Sequence, residues 1–404
     1  MASNAVVAQS GGPTAVINQS LVGVVLAAQA AGHIDKILGA RHGVRGMIED
    51  DFVDLSDAPS ELLERIALTP AAGLGSSRDK PDEEYCKKVF EHLQAQGVKY
   101  MFYIGGNDSA DTARIVNEVA ADAGYDLHVF HVPKTIDNDL RVHDHTPGYG
   151  SAAKFVASAC IGDNFDNKSL PGVKINVIMG RNAGFLTAAA ALGRKYDDDG
   201  PHLIYMPERP VTKEQFIADV QGVYDKLGRC LVVASEGMMH PDGKTYAELM
   251  NEDLPKDDHG NVQLAGSGAL GDYLQDAVKA HVKPPAGQKL RVRADTLGYM
   301  QRSFPGYVSE VDAREARMVG TKAVEFSADP ANTSGSVVMT CARADGNYDV
   351  SVHLEPLANV ARLTRHMPDA FIKGHNNVSQ TFLDYALPLV GELPTVGSIS
   401  ELGD

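Results

Sequence analysis

The chain has 404 residues, 44% of them hydrophobic and 22% charged, enough for a large core and one to three soluble globular domains. Its formal net charge of −16 argues against non-specific binding to nucleic acid or acidic membranes, and requires that any anionic substrate be met by a local cluster of Arg and Lys. No apolar run approaches the roughly 18–20 residues of a membrane span and no signal-peptide pattern opens the chain, so a cytoplasmic location is expected.

The first expected strand, residues 5–9, runs into Ser10-Gly11-Gly12-Pro13-Thr14, and a helical pattern covers about 16–31. Such a glycine turn offers backbone N–H groups, backed by the positive end of the helix dipole, to phosphate oxygens; the same glycines would equally serve a tight turn. The third glycine of a dinucleotide fingerprint is missing, which disfavours an NAD domain. A second strand, 36–40, precedes a glycine-containing turn at 43–46. The loop Ala71-Ala72-Gly73-Leu74-Gly75-Ser76-Ser77-Arg78 combines close backbone approach with an arginine fork suited to an anion, or is a solvated loop. Residues 98–104 form an apolar strand ending in Gly105-Gly106-Asn107-Asp108-Ser109, with a helix over about 108–121. There the glycines admit phosphate, and Asn107 or Asp108 can contact a metal ion or its waters; Asp108 or Ser109 would equally cap the helix.

The strand at 127–132 leads into Pro133-Lys134-Thr135-Ile136-Asp137-Asn138-Asp139. Two carboxylates at i and i+2, with a lysine three residues before the first, suit phosphoryl transfer. One carboxylate takes the proton of an attacking hydroxyl, the other orients it or holds Mg²⁺, and the lysine neutralises donor charge. A polar turn uses the same residue types. Further on, residues 146–151 open a helix of small residues, and the strand Val173–Ile178 ends at Met179-Gly180-Arg181 before a helix at 183–192. A strand at 202–206 ends in Pro207-Glu208-Arg209, and a helix at 214–227 leads into the strand 230–234 and Ser235-Glu236-Gly237. Residues 238–266, with Asp253, Pro255, Asp257 and Asp258, read as a polar surface insertion. A short strand at 290–293, a helix at 311–326 and a strand at 336–340 come next, and the last sixty-odd residues carry no readable site signal. Cys86, Cys160, Cys230 and Cys341 form no C-x-x-C pair and read as buried or inert thiols.

Strands alternate with helices almost throughout, which predicts an α/β fold of mainly parallel sheets covered on both faces, with ligands outside the carboxyl ends of the strands. Every loop singled out above lies at such an end. The expected architecture is two similarly built, doubly wound Rossmann-like domains with the site in the cleft between them.

In order and spacing, Ser10-Gly11-Gly12, Gly75-Ser76-Ser77-Arg78, Gly105-Gly106-Asn107-Asp108-Ser109, Thr135-Ile136-Asp137-Asn138-Asp139, Met179-Gly180-Arg181, Pro207-Glu208 and Arg293…Gln301-Arg302 resemble the 6-phosphofructokinases, over about residues 5–327. The resemblance implies Mg²⁺-dependent phosphoryl transfer to O1 of fructose 6-phosphate. It implies a phosphate-donor domain of residues 1–148 plus about 301–340, a fructose 6-phosphate domain of 149–300, and an unassigned extension at 341–404. Carried over residue by residue, Asp137 resembles the base for the O1 proton, Asp139 and Thr135 its orienting partners, and Arg181 the group balancing charge on the moving phosphoryl. Gly12, Arg78 and the loop of Gly106, Asn107, Asp108 and Ser109 resemble the donor site, with Asn107 and Asp108 nearest a metal. Met179, Gly180 and Glu208 resemble contacts to sugar hydroxyls, and Arg293, Tyr299 and Arg302 contacts to the 6-phosphate, with Lys174 a loosely aligned further one. In the family the residue matching Arg293 reaches in from a neighbouring subunit, which implies a homodimer or homotetramer.

Two positions bear on the donor. In the family's ATP-using members, glycine stands where this chain has Asp108 and where it has Lys134, whereas both residues resemble the pyrophosphate-dependent class. A carboxylate at 108 fills space and adds negative charge where an α-phosphate would lie, and a lysine at 134 can pair with the phosphate left after transfer or hold donor charge in the transition state. Pyrophosphate is therefore the expected donor, with an ATP-dependent enzyme or a non-catalytic sugar-phosphate-binding subunit as the alternatives. Asn107 stands where pyrophosphate enzymes more often carry aspartate, Tyr299 replaces a histidine of the bacterial ATP enzymes, and Ser303-Phe304 replaces Gly-Gly. Val22 and Leu26 occupy positions where allosteric members carry arginines, which implies no nucleotide or phosphoenolpyruvate control there.

Overall fold

The computed structural model describes residues 2–250, 268–343 and 348–402. The chain divides into two compact units, Met1–Ala152 with Tyr299–His366, and Ala153–Gly298 with Met367–Asp404. The strands of the two larger sheets are β1 (Ser3–Gln9), β2 (Ile34–Ala40), β3 (Phe52–Asp54), β4 (Val98–Gly105), β5 (His128–Pro133), β6 (Val173–Ile178), β7 (Leu203–Tyr205), β8 (Cys230–Ser235), β9 (Val292–Thr296), β10 (Ser334–Ala342) and β11 (Asp349–Glu355).

In the first unit the strand order is β11-β10-β5-β4-β1-β2-β3. Its inner strands pair in parallel, and only the edge strands β3 and β11 run antiparallel to their neighbours. Parallel strands buried on both faces read as continuous apolar runs, which is why β1, β4 and β5 are legible. Alternate side chains serve the two faces. Ala5, Val7, Phe102, Ile104, Phe130 and Val132 pack with the helices Ile17–Ala30 and Glu310–Ser327. Val6, Ala8, Met101, Tyr103 and Val129 pack with the helices Glu83–Ala95 and Asn107–Asp122. Val22 is fully buried in the first of these cores and Leu26 packs against it. The register sets Gln9 beside Ile104 and Gly105 beside Pro133, so the loops leaving β1, β4 and β5 are neighbours at one edge of the sheet.

The second unit holds a four-stranded, wholly parallel sheet in the order β7-β8-β6-β9. Its core joins Ile175, Val177, Tyr205 and Val232 to Phe216 and Val220 of the helix Lys213–Leu227 and to Leu274 and Val278 of the helix Ala269–His281. The helix Lys213–Leu227 starts where the Thr212 hydroxyl accepts from the Gln215 N–H at 3.1 Å, and stops at left-handed Gly228.

Several expectations shift. The helix expected at 183–192 is one turn, Phe185–Ala188, followed by the 3₁₀ turn Ala189–Gly193, all of it buried except Gly193 at its end. β9 begins two residues later than expected. The first part of the expected insertion is core: Met238 and Tyr246 are buried in the second unit, while residues 251–267 lie outside the described residues. The C-terminal stretch 341–404 is shared between the units. β11 completes the first sheet, and Phe371, Phe382 and Tyr385 cluster with Phe185 in the second unit, holding the helix Gln380–Val390. No described helix is long and apolar enough to cross a membrane.

Within the first unit one carboxylate joins two helix starts. Asp312 accepts from the Gly148 N–H at 2.8 Å, the Ser151 N–H at 2.9 Å and the Ser151 hydroxyl at 2.6 Å, while its own N–H is capped by Ser309. Burial raises its pKa to about 6 against these donors. Asp312→Ala will cost about 2–4 kcal/mol, since it strands two buried N–H groups. A carboxyl whose folded pKa lies above the unfolded value of 3.8 favours folding most below that value and loses this contribution as pH rises to about 6. The gap between wild type and variant in urea titrations will therefore narrow from about pH 4 to pH 6, and a constant gap would contradict the assignment.

Candidate active site

At the carboxyl edge of the first sheet, three loops are stitched into one floor. The Gly11 N–H donates to the Ser77 carbonyl at 2.8 Å and the Ser76 hydroxyl to the Gly11 carbonyl at 2.6 Å, joining the loop after β1 to the Arg78 loop. The Ser109 hydroxyl donates to Ser10 at 2.9 Å, joining the β1 and β4 loops. Gly105 is required by this closeness, because a Cβ there would lie 1.9 Å from the Ser109 Oγ. The buried His131 supports the turn from below. Burial lowers its pKa to about 4, so the ring is neutral, with Nε2–H donating to the Gly105 carbonyl at 2.9 Å and Nδ1 accepting from Ser336 at 2.8 Å.

Lys134 is only 4% exposed, and its ammonium donates to the Gly12 carbonyl at 2.7 Å. Arg302 and Arg78 come to the same place: a Cβ on Gly12 would meet the Arg302 Nη1 at 3.1 Å and the Arg78 Nη2 at 4.0 Å. Burial, with Arg302 and Arg78, lowers the Lys134 pKa to about 8, while Asp137 and Asp139 pull it the other way. Burial and Arg78 likewise lower that of Arg302. Three cations held this close inside an acidic protein are an arrangement suited to a compact, multiply charged anion. Arg302 also lies over the exposed Tyr299 ring, 4.4 Å from its centroid, so these two residues belong beside Gly12 in the first unit.

The loop after β5 places the two carboxylates differently. Asp137 is half-buried, and its N–H donates to the Thr135 hydroxyl oxygen at 3.1 Å. Asp139 is buried and accepts from the Thr135 hydroxyl at 3.4 Å and from the Asn107 Nδ2 at 3.0 Å. Thr135 thus links the two acids. Burial raises the Asp139 pKa, opposed by Thr135, Arg365 and Lys134. Among the described residues the buried Asn107 Oδ1 has no hydrogen-bond partner, and the neighbouring Asp108 carboxylate is exposed at the start of the helix Asn107–Asp122, 3.4 Å from the Lys80 ammonium. Those two oxygen groups are of the kind a hard cation takes. Among the described residues no group of three or more His, Cys, Asp or Glu could hold a metal ion, so a cation here would rely on phosphate and water.

In the second unit the loops after β6 and β8 meet. The Ser235 hydroxyl donates to the Gly180 carbonyl at 2.6 Å, and a Cβ on Gly237 would lie 1.9 Å from the Arg181 carbonyl oxygen. Glu236 is buried there, its pKa raised by burial and pulled back by Arg181. In the bare sequence this buried acid beside Arg181 reads only as a strand end. Glu208 Oε1 accepts from the Gly184 N–H at 3.0 Å and the Met367 N–H at 2.9 Å, and its buried Oε2 has no partner among the described residues. Lys174 is committed to Asp295, with Asp163 at 3.8 Å, and so is poorly placed to serve a phosphate. Arg293 is exposed on the edge strand β9.

The chain matches the model of the family described as "Phosphofructokinase" over residues 4–327. It is 54% identical over 388 residues to a pyrophosphate–fructose 6-phosphate 1-phosphotransferase of Rhodospirillum rubrum, covering 96% of this chain and 94% of that one. A protein of the same name from Xanthomonas campestris is 35% identical, with 97% and 92% covered. The crystal structure of a pyrophosphate-dependent phosphofructokinase from Nitrosospira multiformis aligns with a TM-score of 0.82 at 31% identity, covering 99% of this chain and 95% of that one.

Proposed function

The chain belongs to the phosphofructokinase family, and we propose that it reversibly transfers a phosphoryl group from pyrophosphate to O1 of fructose 6-phosphate, giving fructose 1,6-bisphosphate and phosphate. The observation that carries the choice of donor is the buried Lys134 ammonium on the Gly12 carbonyl, flanked by Arg78 and Arg302. Such a pocket suits a bare diphosphate, and in this reading the exposed Asp108 carboxylate, in the first turn of the helix after Gly106, opposes the α-phosphate of a nucleotide.

In this reading Asp137 accepts the O1 proton as the O1–P bond forms and the bridging P–O bond of pyrophosphate breaks. Asp139 and Thr135 hold Asp137 in place, and Lys134 meets the charge on the departing phosphate. Gly12, Arg78, Gly106, Asn107, Asp108 and Ser109 contact the donor, and Asn107 and Asp108 would hold Mg²⁺, which supplies charge neutralisation on the diphosphate when bound. Arg181 balances charge on the moving phosphoryl, Met179, Gly180 and Glu208 contact sugar hydroxyls, and Arg293, Tyr299 and Arg302 serve the 6-phosphate. The place of Arg302 beside Gly12 and Lys134 supports a second share for it, in the field around the transferring group. The exposed Arg293 on an edge strand suits donation to a neighbouring subunit of a homodimer or homotetramer. Apolar, core-packed Val22 and Leu26 give an effector phosphate nothing to bind at that point on the first helix.

An ATP-dependent enzyme is the competing reading, and the donor comparison separates the two. With fructose 6-phosphate and Mg²⁺, pyrophosphate should exceed ATP in kcat/KM by at least about a hundredfold. Equal use of both donors would remove the role assigned to Asp108.

A further inference from the structure

The match to the family ends at residue 327, yet the loop carrying Asp137 and Asp139 is braced from beyond that limit. Thr364 forms an antiparallel bridge with Leu140, and the Arg365 N–H donates to the Asp139 carbonyl at 2.7 Å. The Arg365 guanidinium then donates Nε and Nη2 to the Asn138 carbonyl at 3.2 and 2.8 Å, and Nη1 to the His143 carbonyl and, at 2.5 Å, to that of Asp144. Asn138, between the two acids, is buried with φ at +59°, a conformation that asparagine tolerates and that external bonds must hold.

The far side of this grip is itself anchored. Asp144 takes a two-pronged pair from Arg343, at 2.6 Å on each oxygen, and sits 2.8 Å from His145 Nδ1. His145 Nε2 in turn lies 2.7 Å from the buried Glu315. Burial would lower the pKa of His145, but Asp144 and Glu315 outweigh it and raise it.

We propose that Arg365 is a positioning residue for phosphoryl transfer: its fork ties the Asn138 carbonyl to those of His143 and Asp144, and so fixes the directions in which Asp137 and Asp139 present their carboxylates. It rests on the phosphotransferase reading, and it names a residue for which the family motifs carry no signal. A fork of three fixed donors does this where a single ammonium cannot, since one point charge cannot span carbonyls on two sides of a turn.

The test is Arg365→Met and Arg365→Lys in the enzyme, with kcat and the KM for each substrate measured for both variants. Arg365→Met should lose about tenfold to a hundredfold in kcat with KM for both substrates within about twofold. Arg365→Lys, which keeps the charge and loses the fork, should still lose several-fold in kcat at nearly unchanged KM, and it carries the test if the methionine variant does not fold. A lysine variant with wild-type kcat, or a methionine variant that loses only thermal stability while its kcat is unchanged, overturns the proposal. A wild-type enzyme that shows no transfer from pyrophosphate fails the underlying reading instead, and is seen before either variant is made.

Discussion

Asp137→Ala will lower kcat by at least about a hundredfold while the KM for fructose 6-phosphate moves little. The reason lies in the loop after β5. The backbone of Asp137 is held through Thr135, and Thr135 is held by a buried acid, so the position survives when the Asp137 side chain is cut back. In the proposed mechanism the binding groups stay, and only the acceptor for the O1 proton is lost. Asp137→Asn keeps the shape and removes the basicity, so it should fall as far. Near-normal turnover in either variant would assign the proton to another group.

The second large effect belongs to Lys134. Replacing it with methionine fills nearly the same volume without the charge, and kcat/KM for pyrophosphate should drop by about two to three orders of magnitude, the scale for losing one fixed electrostatic contact in a closed site. The depressed pKa gives a second handle. Because burial and the two arginines bring the ammonium to about 8, it is charged at neutral pH and loses its proton above that value. Pyrophosphate binding should therefore weaken as pH rises past about 8, while the KM for fructose 6-phosphate changes less. Lys134→Arg, which stays charged, should abolish that alkaline loss even if its longer fork lowers the rate. A pyrophosphate KM that is flat from pH 7 to 10 would sink the assignment.

The loops that carry Asp137 and Lys134 are legible in the sequence because parallel strands announce themselves. β1, β4 and β5 are apolar on both faces, so their ends are sharp, and each end opens into a loop at the ligand edge. The glycines, Lys134 and both acids sit at those ends, and the sheet order β5-β4-β1 brings them together. Other parts carry a weaker signal. In β11, Val350, Val352 and Leu354 alternate and pack on the core, the period of a half-buried strand. Arg302 enters only through the family resemblance, and its nearness to Gly12 depends on residues 299–366 returning to the first unit, a long-range event that no local pattern encodes. Arg365 has no signal at all. It stands alone in an irregular segment, and its partners are main-chain carbonyls, which every residue has. Glu236 is the intermediate case, since an acid at a strand end beside a glycine is common and only its burial near Arg181 sets it apart.

The strand order also bears on how the protein is made. β5 acquires its second neighbour only when β10 arrives, some two hundred residues later in synthesis, and β10 is itself covered by β11. Until then a buried apolar strand has an open edge, the kind of surface on which nascent chains stick to one another. Everything between those two strands in sequence, including most of the second unit, leaves the ribosome first. The half of the enzyme that begins the polypeptide is thus the later of the two whose main sheet can close, and translation has to run past residue 355 before that can happen.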